Sequence, residues 1–451
     1  MSSTIYDQTS IPKLIFTFSL PSIFALIVET LTSVVDTSFA GHLGNQSESA
    51  LSAMGLLSPL LAVFVALQTL FAISTAIMIS RFLGRQDKFS LHRYFQNGFL
   101  LTLIISSSTS LLVFLFIKPI LLSLGAKGDV YDLAHEYVMI ILVSNIFSAL
   151  GYTLTSSIRA FGYPKMEAFI ITLSVVINIA SNAVLTFGFH LGMTGIALGT
   201  LLSEIVCALL ATSFLIKGHL WFKASKIPMK EYGIMTYKMF KIGFAQTAIQ
   251  LLAGFSAYIV NHQLISIGGN SHVAVWNVAN KLYMLALMPI IGMTQAVQTI
   301  IAYFDGKKVA QKKKETIRQT VLYCFIYGIG ITMIIYVVGK YFLRIFTEDL
   351  AILTAAQVIS KVIFLTFPLL GITYTIMTLL QVTEREIQAV VLGLTRQVIA
   401  VVPLVIMLPF LFSKFDILGI PPAFSIFFSM PIADVLTLFV AIFFFKRTKL
   451  M

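Results

Sequence analysis

Acidic residues are scarce in this chain. Its 451 residues hold 19 Asp and Glu against 31 Lys and Arg, and charged residues of both signs make up only 11% of the total. Soluble domains average about 25% charged. With 58% hydrophobic residues and a mean hydropathy of +0.92, a water-soluble fold of this size would have too little polar surface to cover itself. Cysteine is scarce too. Cys207 and Cys324 lie in apolar stretches at no metal-ligand spacing, so neither a metal site nor a disulfide is expected. HExxH, GxSxG, a paired catalytic Asp motif and a Cys/His cluster are all missing, which argues against an intramembrane enzyme. No cleavable signal peptide is expected, because the first apolar run, from near Leu14, is too long and lacks a small-residue cleavage site.

What the chain does have is a series of about twelve apolar stretches, each long enough to cross a bilayer, which takes roughly 20 residues. They fall near 14–40, 50–79, 93–117, 132–158, 166–188, 191–216, 238–266, 272–302, 316–345, 352–380, 387–412 and 416–445. Lipid offers backbone groups no partner, and these segments are too long for barrel strands, so all are expected to be helices. The 38 Phe suit a lipid-facing exterior.

The formal net charge of +12 invites a nucleic-acid reading, but the basic residues are confined to particular loops. Arg81, Arg85, Lys88 and Arg93 follow the second span. Lys217, Lys223, Lys226, Lys230, Lys238 and Lys241 follow the sixth. Lys307, Lys308, Lys312, Lys313, Lys314 and Arg318 follow the eighth, and Lys446, Arg447 and Lys449 end the chain. The loops 41–49, 189–193 and 267–271 contain no Lys or Arg. By the positive-inside rule both termini face the cytoplasm of a cell membrane. The basic excess is then a topology signal, with contact to anionic lipid as a secondary effect and no nucleic-acid partner.

The chain also echoes itself. Gly41-His-Leu-Gly44 resembles Ser266-Ile-Gly268-Gly269, and Arg81-Phe-Leu-Gly84-Arg85 resembles Tyr303-Phe-Asp-Gly306-Lys307. The two offsets agree within three residues, and they set Asp36 opposite Asn261. Six spans in each half give parallel repeats related by an axis along the membrane normal, an arrangement that places a cavity between lobes. The expected division is 1–220 and 221–451, at the longest cytoplasmic loop.

Several stretches resemble the multidrug and toxic compound extrusion (MATE) family. Pro21, Asp36-Thr37-Ser-Phe-Ala-Gly41-His-Leu-Gly44 and Arg81-Phe-Leu-Gly84 resemble its first two helices. Arg159-Ala-Phe-Gly162-Tyr-Pro164 resembles its fourth-to-fifth connection. Gln295-Ala-Val-Gln298 with Tyr303 and Gly306 resembles the end of its eighth helix, and Arg396-Gln397 its eleventh. The resemblance covers nearly the whole chain. It implies an all-α polytopic membrane protein of twelve helices in two pseudo-symmetric six-helix bundles facing each other in a V. It also implies export of amphipathic, often cationic, small molecules in exchange for protons or sodium ions. The prokaryotic DinF-like branch handles the coupling cation in its first bundle, and the matching positions here are Asp36, Asn178, Asn182 and Thr200. Asn182 stands where that branch has a second carboxylate, which favours a proton over sodium. The other branch keeps acids in its second bundle. This chain has none from Lys241 to Phe304.

The residues themselves point the same way. An acid inside a spanning helix costs at least about 2.5 kcal/mol, so Asp36 is the first candidate for chemistry. Asn178 and Asn182, at i and i+4, share a helix face, as do Glu29 and Asp36 at i and i+7. Counting from the span ends puts Asp36, Asn178, Asn182 and Thr200 in the outer half of the membrane, where all four could meet. Amides and hydroxyls can hold either protonation state of a carboxylate. Glu29, near mid-membrane, reads as a second titrating group, whereas family relatives carry Gln at the matching position. Pro21 must disturb the first helix, and relatives suggest a bend there that follows the cation state. Lys281 is expected to face a water-filled cavity in the second bundle, reached or not by Asp434. Glu204 and Asp434 stay open between cavity and packing roles.

The expected function is a cation-coupled antiporter, acting as a monomer without a cofactor. The rivals are a lipid-linked saccharide flippase of the same superfamily, for which only Lys281 and Arg396 could hold phosphates, and an intramembrane enzyme.

Overall fold

The computed structural model describes residues 5–223, 226, 228–347, 349–415 and 421–447, apart from the side chain of Asn270. Lys449 and positions 224, 225 and 227 of the central loop lie outside them. Among the described residues every regular element is helical. In chain order α1 is Ile5–Gln8, α2 Ile11–Ala40, α3 Ser47–Arg85, α4 Lys88–Leu115, α5 Ile117–Ser123, α6 Asp129–Ala160, α7 Pro164–Ala183 and α8 Gly192–Lys217. Then come α9 Met229–Gly306, α10 Ala310–Leu343, α11 Leu350–Phe364, α12 Phe367–Val382, α13 Glu386–Leu394, α14 Val401–Phe415, α15 Pro422–Ser425 and α16 Ser429–Lys446.

Eleven spans among these residues are long and apolar enough to cross a membrane. The expected tenth span, 352–380, is instead the pair α11 and α12, bent by 49°, and counting the pair as one span brings the total to twelve. Pro368 explains the break. It has no N–H to donate and clashes with the turn before it, so it sits comfortably only in the first turn of a helix, where α12 places it. The expected connection 267–271 shrinks to a break within α9 at Gly269, with φ 70° and ψ −174°. Only glycine adopts that conformation without strain. Pro21 does not interrupt α2, which runs unbroken through it. Phe24, Phe114, Phe410 and Phe439 stay exposed, as an exterior facing hydrocarbon requires.

The chain forms two compact units. The first comprises Met1–Thr247 with Ala302–Lys308, and the second Ala248–Ile301 with Val309–Met451. In the first unit α6 packs along α3, α4 and α8, and α7 lies between α2 and α8. The last turns of α9 join it through reciprocal glycines. A Cβ on Gly84 would stand 2.1 Å from the Tyr303 carbonyl oxygen, and one on Gly306 would stand 1.9 Å from that of Arg81. The two motifs that echo each other in sequence therefore touch backbone to backbone. Around them Asp7 accepts from the Tyr303 hydroxyl at 2.9 Å and from the Lys307 ammonium at 2.7 Å. That hydrogen bond to Asp7 holds the Lys307 pKa above its ordinary value. The pairing thus persists through neutral pH and is lost only as pH rises through the raised value.

In the second unit α10 packs on α12 through small residues. A Cβ on Gly328 would meet Pro368 Cα at 2.6 Å, and one on Gly371 would meet Cys324 Cβ at 2.4 Å. An ion pair is buried here. Arg396 Nε donates to Asp434 Oδ1 at 2.8 Å, another guanidinium nitrogen donates to the Tyr283 hydroxyl at 2.9 Å, and the Thr366 hydroxyl donates to Asp434 Oδ2 at 3.0 Å.

Candidate functional site

Asp36 lies near the end of α2, six per cent exposed. The Asn182 amide donates to its Oδ1 at 2.6 Å and contacts Asn178 Oδ1 at 3.4 Å. The Asn178 amide in turn donates to Thr200 Oγ1 at 3.2 Å and reaches Ser203 Oγ at 3.5 Å. Thr200 Oγ1 also stands beside the Asp36 carboxylate, while its hydroxyl donates to the Ile196 carbonyl at 3.1 Å. The four residues Asp36, Asn178, Asn182 and Thr200, which sequence places on three separate helices, are thus brought together. Asn178 and Asn182 are buried. A buried polar group is costly unless it is hydrogen-bonded, and this chain of amides and hydroxyls meets most of that need.

One atom is left over. Asn182 Oδ1 is buried without a hydrogen-bond partner. Its amide thus gives one face to the carboxylate and keeps an unused acceptor beside it. An ionised Asp36 takes the N–H. A protonated Asp36 has a hydroxyl to give, and rotation of the Asn182 amide about its last torsion, which is roughly two-fold, brings the oxygen round to accept it. The site can therefore satisfy both states of the acid.

The close packing behind it depends on residues that sequence reading missed. A Cβ on Gly199 would stand 1.9 Å from Asn182 Oδ1, and one on Gly195 would stand 2.7 Å from the Thr186 backbone nitrogen. These glycines, four apart on α8, let α7 and the π-helical turn Val184–Gly188 that follows it lie against α8. The G-x-x-x-G spacing that signals close packing of membrane helices could have revealed them. Tyr137 on α6, within electrostatic reach of Asp36, and Ser203 were missed too. Residues scattered through apolar helices carry no periodic signal.

The other candidates lie apart from this cluster. Glu29 is on the same face of α2, seven residues earlier, with an exposed side chain. Pro21 is a further eight residues back. Asn261 and Lys281 belong to the second unit. Asn261 Oδ1 is buried without a partner, and the Lys281 ammonium lies 5.9 Å from the Phe346 ring centre. Asp434 does not serve Lys281, because Arg396 already holds it. Asp434 on α16, left open between cavity and packing roles, neutralises the buried Arg396.

Comparison with known proteins follows the same lines. A family model described as MatE matches residues 21–184 and 246–406. The multidrug export protein MepA of Staphylococcus aureus (strain MRSA252) is 28% identical over 411 residues, covering 89% of this chain and 88% of that protein. MepA of Staphylococcus haemolyticus (strain JCSC1435) is 26% identical over 440 residues, covering 97% and 94%. Among solved structures, an outward-facing multidrug resistance MATE family transporter superposes with a TM-score of 0.87 at 20% identity over 98% of this chain and 96% of that one. A mutant of the Vibrio cholerae MATE transporter VcmN gives 0.87 at 19% identity, covering 98% of both chains. With the helical spans, the polar cluster around Asp36 and a family match over most of its length, the chain belongs to the MATE family of membrane transporters and is not an enzyme.

Proposed function

We propose that this transporter is a proton-coupled antiporter that exports amphipathic or cationic small molecules across the cell membrane, with both termini in the cytoplasm. The two repeats, 1–220 and 221–451, are its working halves, and it acts as a monomer. The single observation that carries the coupling is the buried Asp36 carboxylate, answered among the described residues by amides and hydroxyls. The substrate class is supported by relatives named as multidrug export proteins.

The geometry favours a proton over sodium. Sodium needs several fixed oxygens turned toward it. Here the residue bonded to Asp36 is the neutral amide Asn182, so the cluster offers sodium a single charged ligand. A proton needs only the carboxylate itself and an acceptor for the resulting hydroxyl, which Asn182 Oδ1 supplies. Taking up the proton removes a charge from the middle of a helix bundle and reverses the hydrogen bond to α7. The same titration that stores the ion thus switches the hydrogen bond that joins α2 to α7. The flippase reading is disfavoured because Arg396 is committed to Asp434 and Tyr283, leaving Lys281 as its cation.

Asp36→Asn tests the assignment, since it keeps the shape of the side chain and fixes its charge at zero. Gradient-driven export should fall by more than about tenfold, equivalent to about 1.4 kcal/mol, while membrane insertion and yield stay at the wild-type level. Wild-type export rates from Asp36→Asn would refute it.

A further inference from the structure

Two more acids of the first unit, Glu29 on α2 and Glu204 on α8, lie within electrostatic reach of each other. Their relative height follows from contacts already described. Asn182 on α7 bonds Asp36 on α2, so seven residues back on both helices Glu29 stands level with Val175. The neighbour of Val175, Ser174, donates its hydroxyl to the Ser203 carbonyl of α8 at 3.0 Å. Ser203 adjoins Glu204. Glu29 and Glu204 are therefore within about two residue rises, roughly 3 Å, of the same level. They also lie on facing sides, because Glu29 shares the α2 face of Asp36 and Glu204 the α8 face of Thr200. The contact between α6 and α8 agrees. Cys207 Sγ lies 3.4 Å from where a Cβ on Gly151 would stand, and three residues earlier on both helices the Ser148 hydroxyl meets the Glu204 carboxylate.

No cation answers this pair among the described residues. The groups that face it are Asp36 on its own helix, Ser148, Tyr152 and Arg159 from α6, Glu167 from α7 and Cys207 from α8. Arg159 is the one positive charge, and it is held 2.8 Å from Glu167. Even there an acceptor is left over. Glu167 Oε2 is buried with no hydrogen-bond partner, within electrostatic reach of Glu29. Nor do the described residues contain a group of three acids, His or Cys able to hold a metal ion. Two carboxylates within reach of each other, with no cation partner among the described residues, favour a resting state that holds one proton between them. Glu29 is exposed at the surface of its helix and Glu204 half-buried, whereas Asp36 is enclosed.

We propose that Glu29 and Glu204 form a second exchangeable proton site, separate from Asp36, so that each transport cycle moves two protons rather than one. Along α2 the two sites are about 10 Å apart. That exceeds a single hydrogen bond, so they fill separately. In each cycle a carboxylic acid of the pair gives its proton to water on the cytoplasmic side, after which the pair takes another from water outside. The exported monocation offsets one of the two negative charges that the released protons leave behind, so each cycle carries one net positive charge inward. This inference rests on the antiport reading above.

The test counts protons released when the purified transporter binds tetraphenylphosphonium, a lipophilic monocation, using a pH-indicator dye in weak buffer. The wild type should release about two protons per cation bound, Asp36→Asn about one, Glu29→Gln with Glu204→Gln about one, and the triple variant none. Glutamine keeps the size of both side chains, and Glu204→Gln alone gives a second, milder variant that should also remove a proton. Release from the Glu29→Gln, Glu204→Gln variant equal to wild type would overturn the second site and leave Asp36 coupling intact. Wild-type binding with no release at all would overturn the antiport reading and this inference with it.

Discussion

A carboxylate in the hydrocarbon layer is held by what surrounds it, and Asp36 is surrounded by groups that can turn. The Asn182 amide meets it at 2.6 Å with one face and keeps the opposite face unused. Gly199 makes that arrangement possible, since a methyl group there would overlap Asn182 Oδ1. We therefore expect Gly199→Ala to push the Asn182 side chain away from Asp36, at an overpacking cost of about 1–3 kcal/mol. Coupled export should weaken and its pH midpoint should move, while Gly195→Ala, farther from the carboxylate, should lower stability without moving the midpoint. Measuring pH profiles of both variants checks this, and an unmoved midpoint in Gly199→Ala would count against a working role for Asn182. Asp36 is legible from sequence because an acid in an apolar run stands out. Asn178, Asn182 and Thr200 are singled out by their match to a known family, and helix spacing and depth then allow them to meet. Gly199 escapes recognition, because its role is the space it leaves, and that space exists only once α8 lies against α7.

At the scale of whole helices, sequence predicts what depends on length and misses what depends on neighbours. Apolar runs of about 20 residues become helices because the bilayer permits little else. The bend between α11 and α12 and the break at Gly269 are local exceptions, set by Pro368 and by one positive φ. The pairing of Arg396 with Asp434 joins residues 38 apart in sequence through the packing of α16 on the π-helical turn Thr395–Ala400, and no pattern announces it. Sequence reading leaves the role of Asp434 open. Removing one member of a buried pair strands the other. Arg396→Ala should cost about 3–5 kcal/mol, whereas Arg396→Met together with Asp434→Leu, which removes both charges and keeps volume, should cost much less. The apparent melting temperatures of the two variants in detergent distinguish these outcomes. Equal losses would mean that the pair contributes through shape rather than charge.

For the molecule as a whole, the unequal spread of charge carries the most information. Nineteen acids are few, and those inside spans are informative because each one is expensive. In the first unit Asp36, Glu29 and Glu204 have no cation partner among the described residues, whereas Glu167 has Arg159. In the second, Asp434 is neutralised by Arg396. Among the described residues, acids within spans that lack a cation partner are thus concentrated in the first unit, which is why the proposal assigns the coupling ion there. The sequence echo between Arg81–Gly84 and Tyr303–Gly306 foreshadows a structural relation, and the reciprocal glycine contact is its physical form. The most direct test of this account uses purified transporter in liposomes, with an imposed pH gradient and no sodium, and follows movement of a fluorescent lipophilic cation. Transport should start with the pH step, need no sodium, and disappear in Asp36→Asn. Transport that responds only to a sodium gradient, with no response to the pH step, would contradict it.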